Sequence, residues 1–219
     1  MIRSLITVFL VLIADQSLKI YIKLNFELLD RVTLIKDVFE LHFIENPGMA
    51  FGWQIPMEQG KIILTLFRIC AVVVIVIYLR RVVRDEMHKG FITCVSMILA
   101  GAIGNIIDSV FYGKLFTESH TNELAQWASG GDLQPYAGFW HGKVVDMLHI
   151  CLEWPSWMPY FGERGGEIFP PIFNIADAAI SIGVIWIIIR QRAYFRSGKS
   201  QVQAPVVEVE TNEVVSEGE

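Results

Sequence analysis

Phe173-Asn174-Ile175-Ala176-Asp177 opens an apolar run that reaches Ile189 without another charge. A run of this kind reads as a membrane helix, since crossing the hydrocarbon core takes about 20 apolar residues. It carries a carboxylate at its edge, where an ionisable group is costly and by default functional. A second carboxylate, Asp146, lies upstream in Gly142-Lys143-Val144-Val145-Asp146, again among apolar residues. Two such groups raise a specific hypothesis: aspartates sharing one proton, as hydrolysis by activated water requires.

Three further segments qualify as spans, so the expectation is four, over 5–22, 62–79, 91–111 and 172–189. The chain is 53% hydrophobic with a mean hydropathy of +0.45, and the excess is concentrated in these runs. Lys and Arg fix the orientation. Arg80, Arg81, Arg84 and Lys89 crowd the second connection, Arg190, Arg192, Arg196 and Lys199 follow the fourth span, and Arg3 precedes the first. Four crossings put all three groups on one side, so both termini are expected to be cytoplasmic. The first span has no small-x-small cleavage site and carries Asp15 and Lys19, which reads as a retained anchor.

The outward segments are then 23–61 and 112–171. In the first, Val32, Leu34 and Val38 to Phe43 form short β-like stretches, broken by Lys36-Asp37 and closed by Asn46-Pro47-Gly48. A small sheet on the membrane surface is expected there. The second is long, and its Trp140, Trp154, Trp157, Tyr160 and Phe161 suit the headgroup layer. Pro170 and Pro171 are placed to start the fourth helix. Residues 1–200 read as a single domain. The tail 201–219 holds five Glu and no Lys or Arg, so it carries the whole formal charge of −5 and is expected to be disordered. No basic patch for nucleic acid remains. The three cysteines suggest no disulfide framework, and His149-x-Cys151 is too little for a metal site.

Several polar residues lie inside the runs. Asp15 and Lys19 share a helical face, either as an intramembrane ion pair or as a direct substrate contact. In Gly101-Ala102-Ile103-Gly104-Asn105-Ile106-Ile107-Asp108, Gly101, Gly104, Asn105 and Asp108 share a face. The glycines read as packing, Asn105 as a hydrogen bond across the helix contact, and Asp108 as support for a site. Asn174 and Asp177 project together from the start of the fourth span, where a helix N-terminus favours negative charge. Asp146 is expected to reach the same level from the outer loop. Arg68 reads as a snorkelling cation, and His42, His88, His120 and His141 as solvated loop residues.

The motifs Asp15-x-x-x-Lys19, Asn46-Pro47-Gly48-Met49-Ala50-Phe51, Gly101 to Asp108, Val144-Val145-Asp146 and Phe173 to Asp177 together resemble the lipoprotein signal peptidases (signal peptidase II). The likeness runs from about Ile13 to Ile189. It implies an all-α membrane protein of four transmembrane helices, with a small β-structured cradle and a long loop on the periplasmic side. It further implies an aspartyl endopeptidase of the bacterial inner membrane, with its active site toward the periplasm. Its substrate would be a diacylglyceryl-modified prolipoprotein, cut before the lipid-bearing cysteine. By the resemblance Asp146 and Asp177 are the catalytic pair, and Asn46, Gly48, Asn105 and Asn174 line the substrate site. Asp15, Lys19 and Asp108 support it, no metal or cofactor is used, and the partners are prolipoprotein signal peptides and membrane lipid around a monomer. Two departures stand out. Ser109 occupies a position where the family usually has Arg, and residues 112–143 form an insertion that would cap the site or contact a partner. The rival reading is a proton- or ion-coupled transporter using the same buried groups as a relay, though no internal repeat supports it; a purely structural scaffold would leave the outer aspartates unexplained.

Overall fold

Long apolar stretches become helices because only intra-segment hydrogen bonds satisfy the backbone away from water. The computed structural model of the chain describes residues 1–47, 58–155, 157–158 and 166–196. Its long helices are α1 (Ile2–Asn25), α2 (Glu58–Arg84), α3 (Lys89–Ile107) and α5 (Ile175–Arg196). Among the described residues, the helical stretches Ile2–Asn25, Ile62–Arg84 and Lys89–Leu115 are long and apolar enough to cross a membrane. The fourth expected span is also helical, 22 residues long, with Asp177 in its first turn and Arg190 and Arg192 near its end. Leu5, Phe9, Phe67, Val74, Ile185 and Ile189 stand exposed on the outer faces of this bundle, an apolar coat that water would not tolerate at this extent.

Helix α3 is the central element, packed against α1, α2 and α5. Its glycines explain how. A Cβ on Gly101 would lie 2.2 Å from the Ala176 carbonyl oxygen, and one on Gly104 would lie 2.7 Å from Asp15 Oδ2. Both glycines are therefore packing positions, as their spacing predicts. Past Ile107 the helix widens into a π-helical turn, Asp108–Tyr112, and a last short turn α4 (Gly113–Leu115). Such π turns recur at functional sites because they re-aim side chains.

The expected sheet is present and larger than predicted. Strands β1 (Arg31–Ile35) and β2 (Phe39–Asn46) form a hairpin whose turn is closed by Asp37 at φ +58°. A third strand, β3 (Val144–Ile150), pairs antiparallel with β2, in the order β1-β2-β3. Asp146 thus stands on a strand and not in a loop. Val144 and Val145 favour an extended chain, and β2 offers the edge they need. A core of Ile22, Phe26, Phe43, Tyr112, Phe116, Val145 and Met147 ties the end of α1, the sheet and the π turn together.

The insertion 112–143 folds onto this junction. Its Ser119 accepts from the fully buried Lys23, which also pairs with Glu45 of β2. Lys143 returns to Glu45 at 3.1 Å, and the Lys23 ammonium lies 5.0 Å from the Tyr136 ring centroid. Burial pushes the Glu45 carboxyl up, but Lys23 and Lys143 more than offset it and hold it below the usual carboxylate range. Gly48 and the acidic tail lie outside the described residues.

Candidate active site

Asn174 precedes the first residue of α5 and caps it, its Oδ1 accepting from the Asp177 amide at 2.9 Å. Its other end reaches sideways: Nδ2 donates to Asp146 Oδ1 at 2.6 Å and lies 3.1 Å from Asn105 Oδ1. Asn105, in the last turn of α3, donates in its turn to Asp177 Oδ1 at 2.8 Å. Two asparagine side chains therefore link the two aspartates, one on β3 and one on α5. Asp146 is 3% exposed, whereas Asp177 is half-buried. Burial, followed by the charge of Asp177, pushes the Asp146 carboxyl up to about 7.

Behind the pair lies a charged layer. Lys19 pairs with Asp15 at 2.9 Å and Asp108 at 2.8 Å, and donates to Asn105 Oδ1 at 2.9 Å. The choice between ion pair and substrate contact for Asp15 and Lys19 falls, within the described contacts, to a buried ion triad. Asp15 Oδ1 also accepts from the Ala176 amide at 2.8 Å, which pins the first turn of α5. Asp108 Oδ2 accepts from the Val145 amide at 3.3 Å, which pins β3. Each carboxylate of the layer thus holds the backbone next to one member of the pair. Gly142 matters for the same reason, because a Cβ there would lie 2.0 Å from the Asp108 carbonyl oxygen.

Two participants escape the motif reading. Gln16 donates to Asp108 Oδ1 at 2.9 Å and Asp15 Oδ2 at 3.1 Å while accepting from the Tyr112 hydroxyl at 3.1 Å. A polar amide next to Asp15 in an apolar run was the available signal. Arg68 does not snorkel: it is half-buried and donates to Ser109 Oγ at 3.2 Å, within the field of Asp177, Asp146 and Asp108. Ser109 Oγ itself donates to the Asn105 carbonyl at 2.8 Å. A cation from α2 thus reaches the position where Ser109 stands. Asn46 ends β2 opposite Val144, two residues from Asp146. His42 is a further correction. It is a buried residue of β2, and not a solvated loop residue.

The family model described as signal peptidase (SPase) II matches residues 7–192, which include Asp146, Asp177, Asn105 and Asn174. The chain belongs to the signal peptidase II family. It is similar to a protein named lipoprotein signal peptidase from Porphyromonas gingivalis, 42% identical over 185 residues that cover 82% of this chain and 78% of the relative. A protein of the same name from Amoebophilus asiaticus is 34% identical over 211 residues, covering 94% and 81%. A solved structure described as a bacterial membrane enzyme shares the fold, with a TM-score of 0.58 and 24% identity over 92% of this chain and 94% of its own. Membership in the signal peptidase II family makes this chain a membrane-embedded peptidase.

Proposed function

We propose that the chain is an aspartyl endopeptidase that removes the signal peptide from diacylglyceryl-modified prolipoproteins, cutting before the lipid-bearing cysteine. The observation that carries the reading is the Asp146–Asn174–Asn105–Asp177 chain of hydrogen bonds, with one aspartate buried and the other half-buried. The names of the relatives support the substrate class. Asp146, pushed up to about 7 by burial, carries the shared proton at the start of the cycle.

In this mechanism Asp177 takes a proton from a water whose oxygen attacks the scissile carbonyl carbon. Asp146 simultaneously gives its proton to the carbonyl oxygen, so a neutral tetrahedral diol forms and no oxyanion is left unpaired. Collapse of the diol breaks the C–N bond, Asp177 passes its proton to the leaving amine, and Asp146 recovers one from the diol. Asn105 and Asn174 hold the two carboxyls at fixed spacing throughout. Asn46 and Gly48 line the path of the substrate backbone, and Asp15, Lys19 and Asp108 fix the helix and strand that bear the pair.

Four membrane crossings, cytoplasmic termini and a site toward the periplasm follow from the distribution of Lys and Arg. The substrate enters laterally as an apolar helix, while its acyl chains stay in the bilayer, from which a lipidated precursor does not readily part. The enzyme acts as a monomer without a cofactor for the reaction. Purified protein offered lipid-modified and unmodified precursors tests the proposal. Cleavage of the modified precursor alone, abolished in both Asp146→Asn and Asp177→Asn, is expected; cleavage persisting in either variant would sink the paired-carboxylate mechanism.

A further inference from the structure

On the three-stranded sheet, Glu40 and His149 face each other as a cross-strand pair between β2 and β3. Two residues along β2, the register slips between Leu41 and Ile44, so that His42 and Phe43 together face the single residue Met147. Bulges of this kind re-aim a side chain. A ring nitrogen of His42, one of His149 and a carboxylate oxygen of Glu40 all lie within 4.8 Å of one another. His42 is more than nine-tenths buried, yet its Nδ1 has no hydrogen-bond partner among the described residues. Leaving a buried polar atom unpaired is costly, so a ligand that supplies the missing bond is the economical explanation.

We propose that His42, His149 and Glu40 form a binding site for a divalent transition metal of the zinc class, with Cys151, which stands beside His149 just outside this cluster, closing in as the fourth donor. The donor set is of the right chemistry: two imidazoles, a carboxylate and a thiol. Tetrahedral zinc with Zn–N near 2.0 Å and Zn–S near 2.3 Å separates its ligand atoms by roughly 3.3–3.6 Å. Cys151 Sγ lies 3.6 Å from His149 Nδ1, and Glu40 Oε1 lies 2.9 Å from the same nitrogen. The other ring nitrogen of His149, Nε2, sits 3.0 Å from Glu167 Oε2, the carboxylate–histidine arrangement that orients metal-binding imidazoles. A groove of about 620 Å³ reaches Glu40, Cys151 and Glu167 and provides an entry path. Arg31, 3.5 Å from Glu40 and 59% exposed, is free to swing into solvent when the metal enters.

The site is distinct from the aspartate pair. Asp146 and His149 are three positions apart on β3 and point to opposite faces of the sheet. Its role would be to clamp β3 to β2 and so steady the strand that carries Asp146. The proposal does not depend on the peptidase reading.

Full-length protein stripped with chelator and titrated with Zn²⁺ by calorimetry is expected to bind one ion per chain. His42→Ala and Cys151→Ser should each weaken binding at least about tenfold, while His120→Ala, on an exposed loop, should leave it unchanged. Co²⁺ loaded in place of Zn²⁺ should show a thiolate charge-transfer band that Cys151→Ser removes. His42→Ala deletes no hydrogen bond among the described residues and Cys151→Ser is near-isosteric, so both variants should fold, as gel filtration of each will check. Absence of stoichiometric Zn²⁺ binding by the wild type, or binding undiminished in both variants, would overturn the proposal.

Discussion

At the scale of single residues, the proton on Asp146 bears on stability and, in the proposed mechanism, on chemistry. Its carboxyl is pushed up to about 7 in the native protein by burial and by Asp177, whereas an unfolded aspartate titrates near 3.9. The native state therefore holds a proton that the unfolded chain has lost, and stability falls as pH rises from about 4 to about 7. The sign is the reverse of that for a salt-bridged aspartate. The full effect is on the order of 4 kcal/mol. Asp146→Asn should remove this slope, so thermal unfolding in detergent at pH 8 should show the inactive variant more stable than the wild type. Peptidase activity should fall as pH rises above about 7, because the proton to be donated is gone; a pH profile flat to 9 would count against the assigned roles. Asn174→Ala should lower turnover roughly 10- to 100-fold with a smaller effect on binding, since it removes both the bond to the Asp146 carboxyl and the cap on the Asp177 amide.

At the scale of elements, the site depends on how closely α1, α3 and α5 approach. Gly104 admits Asp15, and Gly101 admits the Ala176 carbonyl. Gly101→Val should force α5 away from α3, lowering the unfolding temperature and abolishing cleavage together, measured on the same preparation. Lys19→Met leaves Asp15 and Asp108 buried without their cation, a change that costs about 3–5 kcal/mol. The four helices were legible in the chain because apolar runs of membrane length have few alternatives. The β1–β2 hairpin was legible from Lys36-Asp37 and the flanking β-branched residues. Strand β3 was not: Val144–Ile150 is short, and only pairing with β2, about 100 positions away, makes it a strand. Arg68 was misread because a cation in an apolar run looks the same whether it turns to the headgroups or to Ser109.

At the scale of the whole molecule, the insertion 112–143 is built into the fold. Lys23, fully buried, is held by Glu45, Ser119 and the Tyr136 ring, and two of these three come from the insertion. Deleting it should destabilise the protein before any question of capping arises. Glu45→Gln isolates the same interaction: it leaves Lys23 without its carboxylate and should cost about 3–5 kcal/mol, read as a drop in unfolding temperature at neutral pH. Because Lys23 and Lys143 hold the Glu45 carboxyl below the usual range, this contribution should be lost in the wild type in acid, as pH falls through that lowered value. A protein trimmed of 121–135 but still carrying Glu45, Ser119 and Tyr136 should process precursor if the insertion is purely structural at its base; loss of processing in a folded variant would support a cap.

The chain by itself determined the number of long helices, the hairpin and the family, because membrane length, turn chemistry and ordered motifs are local properties of sequence. Tertiary structure alone decided that Asn105 and Asn174 link the two aspartates, that Asp146 is the more deeply buried, and that Arg68 turns inward. It alone decided, too, that Glu40, His42 and His149 gather on one sheet. Each of these depends on which residues distant in the chain lie within about 3 Å of one another, and on how much water they exclude, and neither is written in any local pattern.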